Sequence, residues 1–433
     1  MEETNCMNKK LVASLFLYEK EAVTNFDDLT VISEDPVSLA KMYSEQHADE
    51  LIIFDLSMGD KEHDKALDII KEICNVVEIP VIGAGNVKRT EDIKKLLYAG
   101  CQKAALNYSK DSNVALTQEV SERFGKEKIV IATGDLNNLT DFFDVIEAYA
   151  CEVIYLGKDN FKAAYAASPI PLISWVPEIS LDKLMETLRN DKVSGVMGTM
   201  VNENAAQFAS LKMLLKDNGI PMSALEAQLC WEEFKKNSDG FVPVIVQDYR
   251  TEVVLMLAYM NRQAYEKTLS TGKMTYWSRS RYCLWVKGET SGHFQYVKSL
   301  TADCDKDTIL AKVSQVGPAC HTGKTSCFFN TIMEKEDAAA LNPLKVFEDV
   351  FAVIMDRKEH PKEGSYTNYL FDKGIDKILK KMGEEATEIV IAAKNPNPNE
   401  IKYEISDFLY HMMVLMAEKG VTWDEITEEL SKR

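Results

Sequence analysis

Through the first 219 residues, unbroken apolar runs of strand length alternate with stretches whose apolar residues recur every three or four positions. A short apolar run suits a strand covered on both faces and a 3.6-residue period suits an amphipathic helix, so the alternation predicts parallel βα units. Eight strand-like runs occupy 11–17, 51–56, 80–84, 102–107, 129–133, 152–156, 171–175 and 193–198, with helical stretches such as 90–98 between them. Eight such units are the number that closes a (βα)8 barrel, the α/β architecture expected for this part of the chain.

The pattern then changes twice. Over 241–330 polar and apolar residues interleave among many Val, Tyr, Trp and Thr, as in Met274-Thr275-Tyr276-Trp277, which predicts a mostly-β α+β domain with one helix near 261–270. The last ninety residues return to helical spacing, with Ile375, Ile378, Leu379 and Met382, then Ile401, Ile405, Phe408, Leu409, Met412 and Leu415, and predict an all-α bundle. Asn218-Gly219-Ile220-Pro221 reads as a helix stop followed by a proline, and 331–343 reads as a linker. The expected organisation is therefore multidomain: a barrel over 1–219, a sheet-rich domain over 220–330 and a helical domain over 344–433.

Composition narrows the setting. The net charge of −18 disfavours nucleic acid and anionic membranes as partners. The excess of acid lies mainly in the first 219 residues, with 23 Lys and Arg against 36 Asp and Glu, whereas 220–330 carry 13 against 11 and suit a phosphorylated substrate better. Nine cysteines, an odd number without a secretion-type leader or a long apolar span, point to free thiols or metal ligands in a cytoplasmic protein.

The densest chemistry is Asp303-Cys304-Asp305-Lys306-Asp307, then Cys320-His321-Thr322-Gly323, then Cys327. Three thiolates suit zinc, and three protein ligands leave a position open for water; His321 would either close a four-ligand structural site or act as an acid and base beside the metal. Buried free cysteines are the plain alternative. In an extended segment Asp303, Asp305 and Asp307 would point to one side, where their repulsion calls for a hard cation such as Mg2+; a solvated acidic edge strand is the other reading.

Residues 253–329 resemble phosphoribosyl-AMP cyclohydrolase in five ordered motifs: Val254-Leu255-Met256-Leu257-Ala258-Tyr259-Met260-Asn261, Tyr276-Trp277-Ser278-Arg279-Ser280-Arg281, Lys287-Gly288-Glu289-Thr290-Ser291-Gly292-His293, Asp303-Cys304-Asp305 and Cys320-His321-Thr322-Gly323. The resemblance implies zinc on Cys304, Cys320 and Cys327, with ligands drawn from two chains of a homodimer, and Mg2+ on Asp303, Asp305 and Asp307. It implies hydrolytic opening of the adenine ring of phosphoribosyl-AMP by zinc-activated water, with His321 as proton carrier. Trp277, Ser278, Arg279, Ser280, Arg281, Lys287, Thr290, Ser291 and His293 are the candidate substrate contacts.

Near the C-terminus, Glu384, Glu385 and Glu388 fall on one predicted helix and Glu404 and Asp407 on the next, with 395–399 as the turn between them. Acids three and four apart share a helix face and repel unless neutralised, although glutamate pairs are also ordinary on exposed helices. Ile389, Val390, Ile405 and Phe408 beside them predict a position near a helix seam. From about residue 344 the chain is similar to phosphoribosyl-ATP pyrophosphohydrolase, through Pro361-Lys362-Glu363-Gly364-Ser365-Tyr366-Thr367, Gly383-Glu384-Glu385-Ala386-Thr387-Glu388 and Asp407-Phe408-Leu409-Tyr410-His411. That resemblance implies catalytic and Mg2+-binding roles for Glu385, Glu388, Glu404 and Asp407, with Glu384 a further catalytic candidate. Lys373, Lys377, Lys380 and Lys381 would hold phosphates. The product of this domain would be the substrate of the middle one.

Residues 47–133 are similar to the barrel isomerase and cyclase of histidine biosynthesis, notably Ile53-Phe54-Asp55 and Ile82-Gly83-Ala84-Gly85-Asn86, whose glycines are placed to approach a phosphate. The departures are Phe16 where those enzymes carry an acid, only Asp135 after the fifth strand, and Ser174-Trp175-Val176-Pro177 in place of phosphate-gripping glycines. A non-catalytic barrel serving assembly or a partner contact is expected. A trifunctional enzyme and a zinc-stabilised scaffold without turnover are the rival readings.

Overall fold

The computed structural model describes residues 8–176, 181–333, 345–395 and 398–431. They form two compact units, 1–330 and 331–433. Pro177, Pro396, Asn397 and most of the expected linker, 334–343, lie outside the described residues.

The N-terminal barrel is built on β1 (Lys10–Tyr18), β4 (Glu50–Asp55), β5 (Val81–Ala84), β6 (Lys103–Asn107), β7 (Ile129–Thr133), β8 (Glu152–Tyr155), β9 (Leu172–Trp175) and β10 (Val193–Met197), all parallel, with β10 closing onto β1. These are the eight runs expected from the apolar pattern. A small antiparallel extension, β2 (Glu21–Val23) and β3 (Val31–Ser33), follows β1. Helices α1 (Pro36–Glu45), α2 (Asp60–Val76), α3 (Thr90–Tyr98), α4 (Asp111–Phe124), α5 (Leu136–Asp141), α6 (Phe143–Tyr149), α7 (Phe161–Ala167), α8 (Leu181–Leu188), α9 (Thr199–Glu203) and α10 (Phe208–Asp217) complete this part of the fold. Gly219, at φ +80, ends the last of them, yet the chain does not leave the barrel there: Lys9 N–H donates to the Pro221 carbonyl at 2.7 Å, and Ile220 and Met222 are still in the core.

Buried apolar side chains occupy the interior of the barrel. Val12, Ile52, Ile82, Val130, Ile154 and Ile173 fill its middle, and full burial of such side chains stabilises by about 1.5–3 kcal/mol each. Its amino end is closed by a ring in which Lys10 bonds Glu50 and Glu152 at 2.6 and 2.7 Å and Lys103 bonds the same two acids at 3.0 and 2.9 Å. Its carboxyl end, where barrels of this kind carry their catalytic groups, is capped by Phe16, Phe26, Phe54 and Trp175. Phe16 lies 5.1 Å from Phe54, 4.9 Å from Phe26 and 6.2 Å from Trp175.

The middle sheet has the order β12-β11-β16-β15: β11 (Val242–Asp248) pairs in parallel with β16 (Ile309–Gln315), while β12 (Val254–Met260) and β15 (Gln295–Ala302) are antiparallel edges. Helix α11 (Arg262–Thr271) starts at Asn261, whose side chain accepts from the Ala264 amide, and packs near the hairpin of β13 (Thr275–Ser278) and β14 (Cys283–Val286).

The second unit holds α12 (Lys345–Glu359), α13 (Tyr366–Lys373), α14 (Ile375–Ala392), α15 (Pro398–Lys419) and α16 (Trp423–Ser431). Its core is Ile354, Leu370, Ile378, Met413, Val414, Met416 and Ala417. Leu379, Val390 and Ile405, which helical spacing placed on the inner face, are exposed. The buried stripe of α15 lies on its second half, where α12 and α13 cover it. Among the described residues no helix is long and apolar enough to cross a membrane.

Candidate active sites

The strands β15 and β16 are joined by a tight turn, 303–308, and this turn gathers the first set of candidate ligands. Asp303, Asp305 and Asp307 offer carboxylate oxygens within 4.8 Å of one another. The sequence argument placed them on one side of an extended segment; the strand ends at Ala302, and the acids meet because the chain folds back, with Lys306 at φ +61. Asp303 accepts from the amides of Asp307 (3.0 Å) and Thr308 (3.3 Å). Burial alone would raise its carboxyl, and the Thr308 and Asp307 amides more than offset this, so it sits below the usual carboxylate range. Asp305 pairs with Lys235 at 3.0 Å.

Cys320 and Cys327 lie on a separate loop after β16. The Thr322 hydroxyl donates to Cys320 Sγ at 3.1 Å, and the hydroxyl and amide of Thr322 hold that thiol below its ordinary value, with smaller help from Cys327 and Lys287. Burial and then the neighbouring Cys320 push the Cys327 thiol up. Lys287 is buried and donates to the Ala319 carbonyl at 2.8 Å, so it faces the thiol loop rather than open solvent. His321 is exposed, with Nδ1 3.9 Å from Cys320 Sγ. Cys304, exposed on the aspartate turn, forms no cluster with Cys320 and Cys327 in the described residues.

The candidate substrate contacts surround this loop unevenly. Trp277 and Ser278 end β13; Arg279, Ser280 and Arg281 form the exposed turn to β14, with Arg281 Nε 3.3 Å from Ser278 Oγ and the Arg279 guanidinium 4.0 Å above the Tyr259 ring. Thr290 and Ser291 are exposed on the turn before β15. His293 lies against Gly317, where any Cβ would come within 2.7 Å of its ring, so a glycine there lets the imidazole approach the segment leading to Cys320.

In the helical unit Glu385, Glu404 and Asp407 bring oxygens within 4.8 Å of one another across α14 and α15. Glu385 is buried, whereas Glu388 and Asp407 are exposed and neighbouring Val390 and Ile405 are uncovered, so the acids sit at the rim of the helix seam. The Glu404 carboxyl is raised, first by desolvation and then by the charges of Glu388, Glu385 and Asp407. Glu384 is outside the group but shares a cation with it: Lys381 lies 3.0 Å from Glu384 and 3.6 Å from Glu385, Lys380 lies 3.4 Å from Glu384, and the Glu384 carboxyl is lowered by the Lys381 bond. Lys373 and Lys377 each stand 5.9 Å from the Tyr369 ring centre.

Two residues quoted only as parts of motifs support this group. His411 is buried; its Nδ1 lies 2.8 Å from the Asp407 carbonyl, which fixes the Nδ1–H tautomer, so Nε2 accepts from the Tyr366 hydroxyl at 3.1 Å. Glu385 Oε1 is 3.8 Å from the same ring.

Among the described residues the barrel gathers no comparable set. Gly85, expected to approach a phosphate, instead makes room for the Asp55 backbone, whose oxygen an added Cβ would meet at 2.2 Å. Asp55 is spent on His63 (2.5 Å), Ser57 and Asn86 (3.0 Å). Asp135 caps α5 by accepting from the Asn137 amide, and Ser174 bonds Tyr165 at 2.9 Å.

Family models match three stretches: phosphoribosyl-AMP cyclohydrolase at 256–329, phosphoribosyl-ATP pyrophosphohydrolase at 347–433, and a histidine biosynthesis protein family at 11–147. The histidine biosynthesis bifunctional protein HisIE of Thermoanaerobacter pseudethanolicus is 51% identical over 210 residues, which are 46% of this chain and 97% of the relative. The chain belongs to the HisIE family. The Bacillus subtilis HisIE is 48% identical over 202 residues, 47% of this chain and 95% of the relative, and that of Lactococcus lactis 51% over 192 residues, 44% and 88%. These HisIE relatives are matched almost end to end by less than half of the chain, so the barrel is an addition to the HisIE body.

Proposed function

We propose that the chain performs both HisIE hydrolyses in sequence: the helical unit splits phosphoribosyl-ATP into phosphoribosyl-AMP and pyrophosphate, and the middle domain opens the adenine ring of phosphoribosyl-AMP. The observation that carries the reading is the presence, within the two matched segments, of two separate carboxylate clusters, Asp303/Asp305/Asp307 and Glu385/Glu404/Asp407.

The helical donors suit Mg2+, because three hard carboxylate oxygens within 4.8 Å of one another repel and are relieved by a dication. When bound there, Mg2+ supplies charge neutralisation for the leaving pyrophosphate and orients water. Glu385, Glu404 and Asp407, with Glu388 beside Glu404, would hold it, while Lys373, Lys377 and Lys380 face the triphosphate. Glu384, tied to Lys380 and Lys381, orients those cations.

In the middle domain Asp303, Asp305 and Asp307 suit Mg2+, and Cys320 and Cys327 supply two soft donors, one of them predisposed to the thiolate, which suit zinc. Bound zinc supplies a water of lowered pKa for addition at C6 of the ring. The third thiolate, Cys304, then comes from a second copy, making the working form a homodimer; exposed Val254 and Leu257 on edge strand β12 and Phe328 beside Cys327 fit such a contact. His321 carries protons, and Arg279, Arg281, Ser278, Ser280, Trp277, Thr290, Ser291 and His293 bind the two phosphoribosyl groups. Buried Lys287 braces the thiol loop. The barrel is non-catalytic in this reading, since aromatic rings occupy its mouth, and the free thiols fit a cytosolic setting.

The test is absorbance-monitored turnover of phosphoribosyl-ATP by the full chain with Mg2+ and Zn2+. Ring-opened product from the parent, accumulated phosphoribosyl-AMP with Cys320→Ala and unspent substrate with Glu388→Ala are expected. A folded, metal-loaded parent that consumes nothing would leave the scaffold reading in its place.

A further inference from the structure

The barrel meets the middle domain through a compact polar clamp whose central partners are on β15 and β16, with Tyr249 after β11 and the end of α11 beside them. Glu45, the last residue of α1, is buried; its Oε1 accepts from Ser314 Oγ on β16 at 2.6 Å and its Oε2 stands 3.1 Å from Lys298 Nζ on β15. Lys298 also binds Glu78 Oε2, just after α2, at 2.7 Å, and Glu78 accepts in turn from the Tyr249 hydroxyl. Burial would raise Glu78, but the bonds from Lys298 and Tyr249 carry it below its ordinary value, and the same ammonium lies within reach of both acids. Gln46 Nε2 donates to the Tyr296 hydroxyl at 3.1 Å. His47, at φ +69, rests on Gly272, where a Cβ would come within 2.0 Å of its Nε2.

The strand that is gripped is the one that leads to the chemistry. The β15–β16 ladder shifts register between Val297 and Ser299, so Lys298 sits at a bulge that re-aims its side chain. Five residues further on, the same strand delivers Asp303 and Cys304, and β16, held through Ser314, leaves that turn in the other direction. β15 is an edge strand of this sheet whose outer side is bridged at Tyr296 to Lys273, ahead of Lys298, so the stretch from Lys298 to the aspartate turn lies beyond that bridge and relies on an outside hold. The HisIE relatives, matched over 88% to 97% of their length by less than half of this chain, leave no room for the barrel that supplies the hold.

We infer that the barrel is a positioning scaffold for the cyclohydrolase: Glu45, Glu78 and Lys298 are positioning residues that set the β15–β16 hairpin and, through it, the placement of the Asp303-to-Asp307 turn. The inference rests on the cyclohydrolase reading above, and gives the catalytically silent barrel a task that the chain's own second activity does not share.

The experiment uses the full chain and takes pyrophosphohydrolase turnover as the internal control in every sample. Lys298→Met leaves two facing carboxylates without their cation, Glu45→Gln keeps volume and removes charge, and Lys298→Arg preserves the clamp. Expected for Lys298→Met and Glu45→Gln is a fall in ring-opening kcat of about tenfold to a hundredfold, the range for displaced catalytic groups. With it go faster amide hydrogen exchange over 295–303 and unchanged pyrophosphohydrolase, while Lys298→Arg stays near the parent. Full ring-opening activity in both disrupted variants overturns the inference, and so does a parallel loss of both activities, which marks general unfolding. A parent without ring-opening activity but with zinc bound would instead remove the cyclohydrolase reading itself.

Discussion

The two carboxylate clusters hold like charges together by opposite means. In the 303–308 turn, Asp303 lies below its ordinary value because backbone amides of Thr308 and Asp307 turn inward and donate to it. On α14 and α15 the amides are spent within the helices, and Glu404 is raised, first by desolvation and then by its acidic neighbours. A turn thus carries its own counter-dipoles, whereas a pair of helices must take neutralisation from a cation or from side chains such as Lys381. The clusters also differ in completeness. The helical set is assembled within one chain, while the turn leaves Cys304 apart from Cys320 and Cys327.

The largest expected effect breaks the helical side alone. Glu385→Gln removes the one buried ligand of that cluster and should lower pyrophosphohydrolase turnover by at least about a hundredfold, beyond the range for losing a ligand's supporting partner. Ring opening of supplied phosphoribosyl-AMP should stay at the parental rate; a coupled loss of both would erase the separation of the two sites.

Next comes completeness. Cys304→Ala and Cys320→Ala should each lack ring opening, and mixing them after reversible dissociation should restore about a quarter of parental activity, because half of the dimers are mixed and each mixed dimer has one intact set. No recovery in a verified mixture would place all three thiols in one chain. The helical activity should be the same in every sample.

A smaller effect probes how the helical ligands are held. Tyr366→Phe deletes the hydroxyl that donates to His411 Nε2 and should raise the Mg2+ half-saturation of pyrophosphohydrolase by about tenfold, as expected for a partner behind a ligand. An unchanged Mg2+ titration would show that the His411 ring is held by the Asp407 carbonyl without help.

The smallest is electrostatic. Glu404, raised in the folded state, binds protons there more readily than in the unfolded chain. Without Mg2+ the thermal midpoint of the helical unit should therefore rise as pH falls from Glu404's raised value toward 4.5, the ordinary carboxyl value, and Glu404→Gln should remove that slope. Saturating Mg2+ should flatten it as well. A slope of the opposite sign would mean that Glu404 is stabilised as the anion.

Much of this molecule is legible in one dimension. The eight barrel strands coincide with apolar runs because a strand covered on both faces admits no polar alternation, and Asn261 marks the start of α11 because its side chain accepts from the Ala264 amide. The helical acids were readable from spacing, since residues three and four apart share a face wherever the helix lies. Less legible was which of them belong together: Glu384 and Glu385 are neighbours in sequence and share Lys381, yet only Glu385 brings an oxygen to Glu404 and Asp407.

The sequence by itself determined the element types, the candidate ligand motifs and the likeness to two hydrolases, because those reside in local periodicity and residue chemistry. Only the tertiary structure decided that the aspartates meet through a turn, that Phe16, Phe26, Phe54 and Trp175 close the barrel mouth, and that Glu45 and Glu78 converge on Lys298. Those pairings join residues up to 253 positions apart, as between Glu45 and Lys298. No local pattern records them, since a glutamate at a helix end reads as solvated until another part of the chain arrives to bury it.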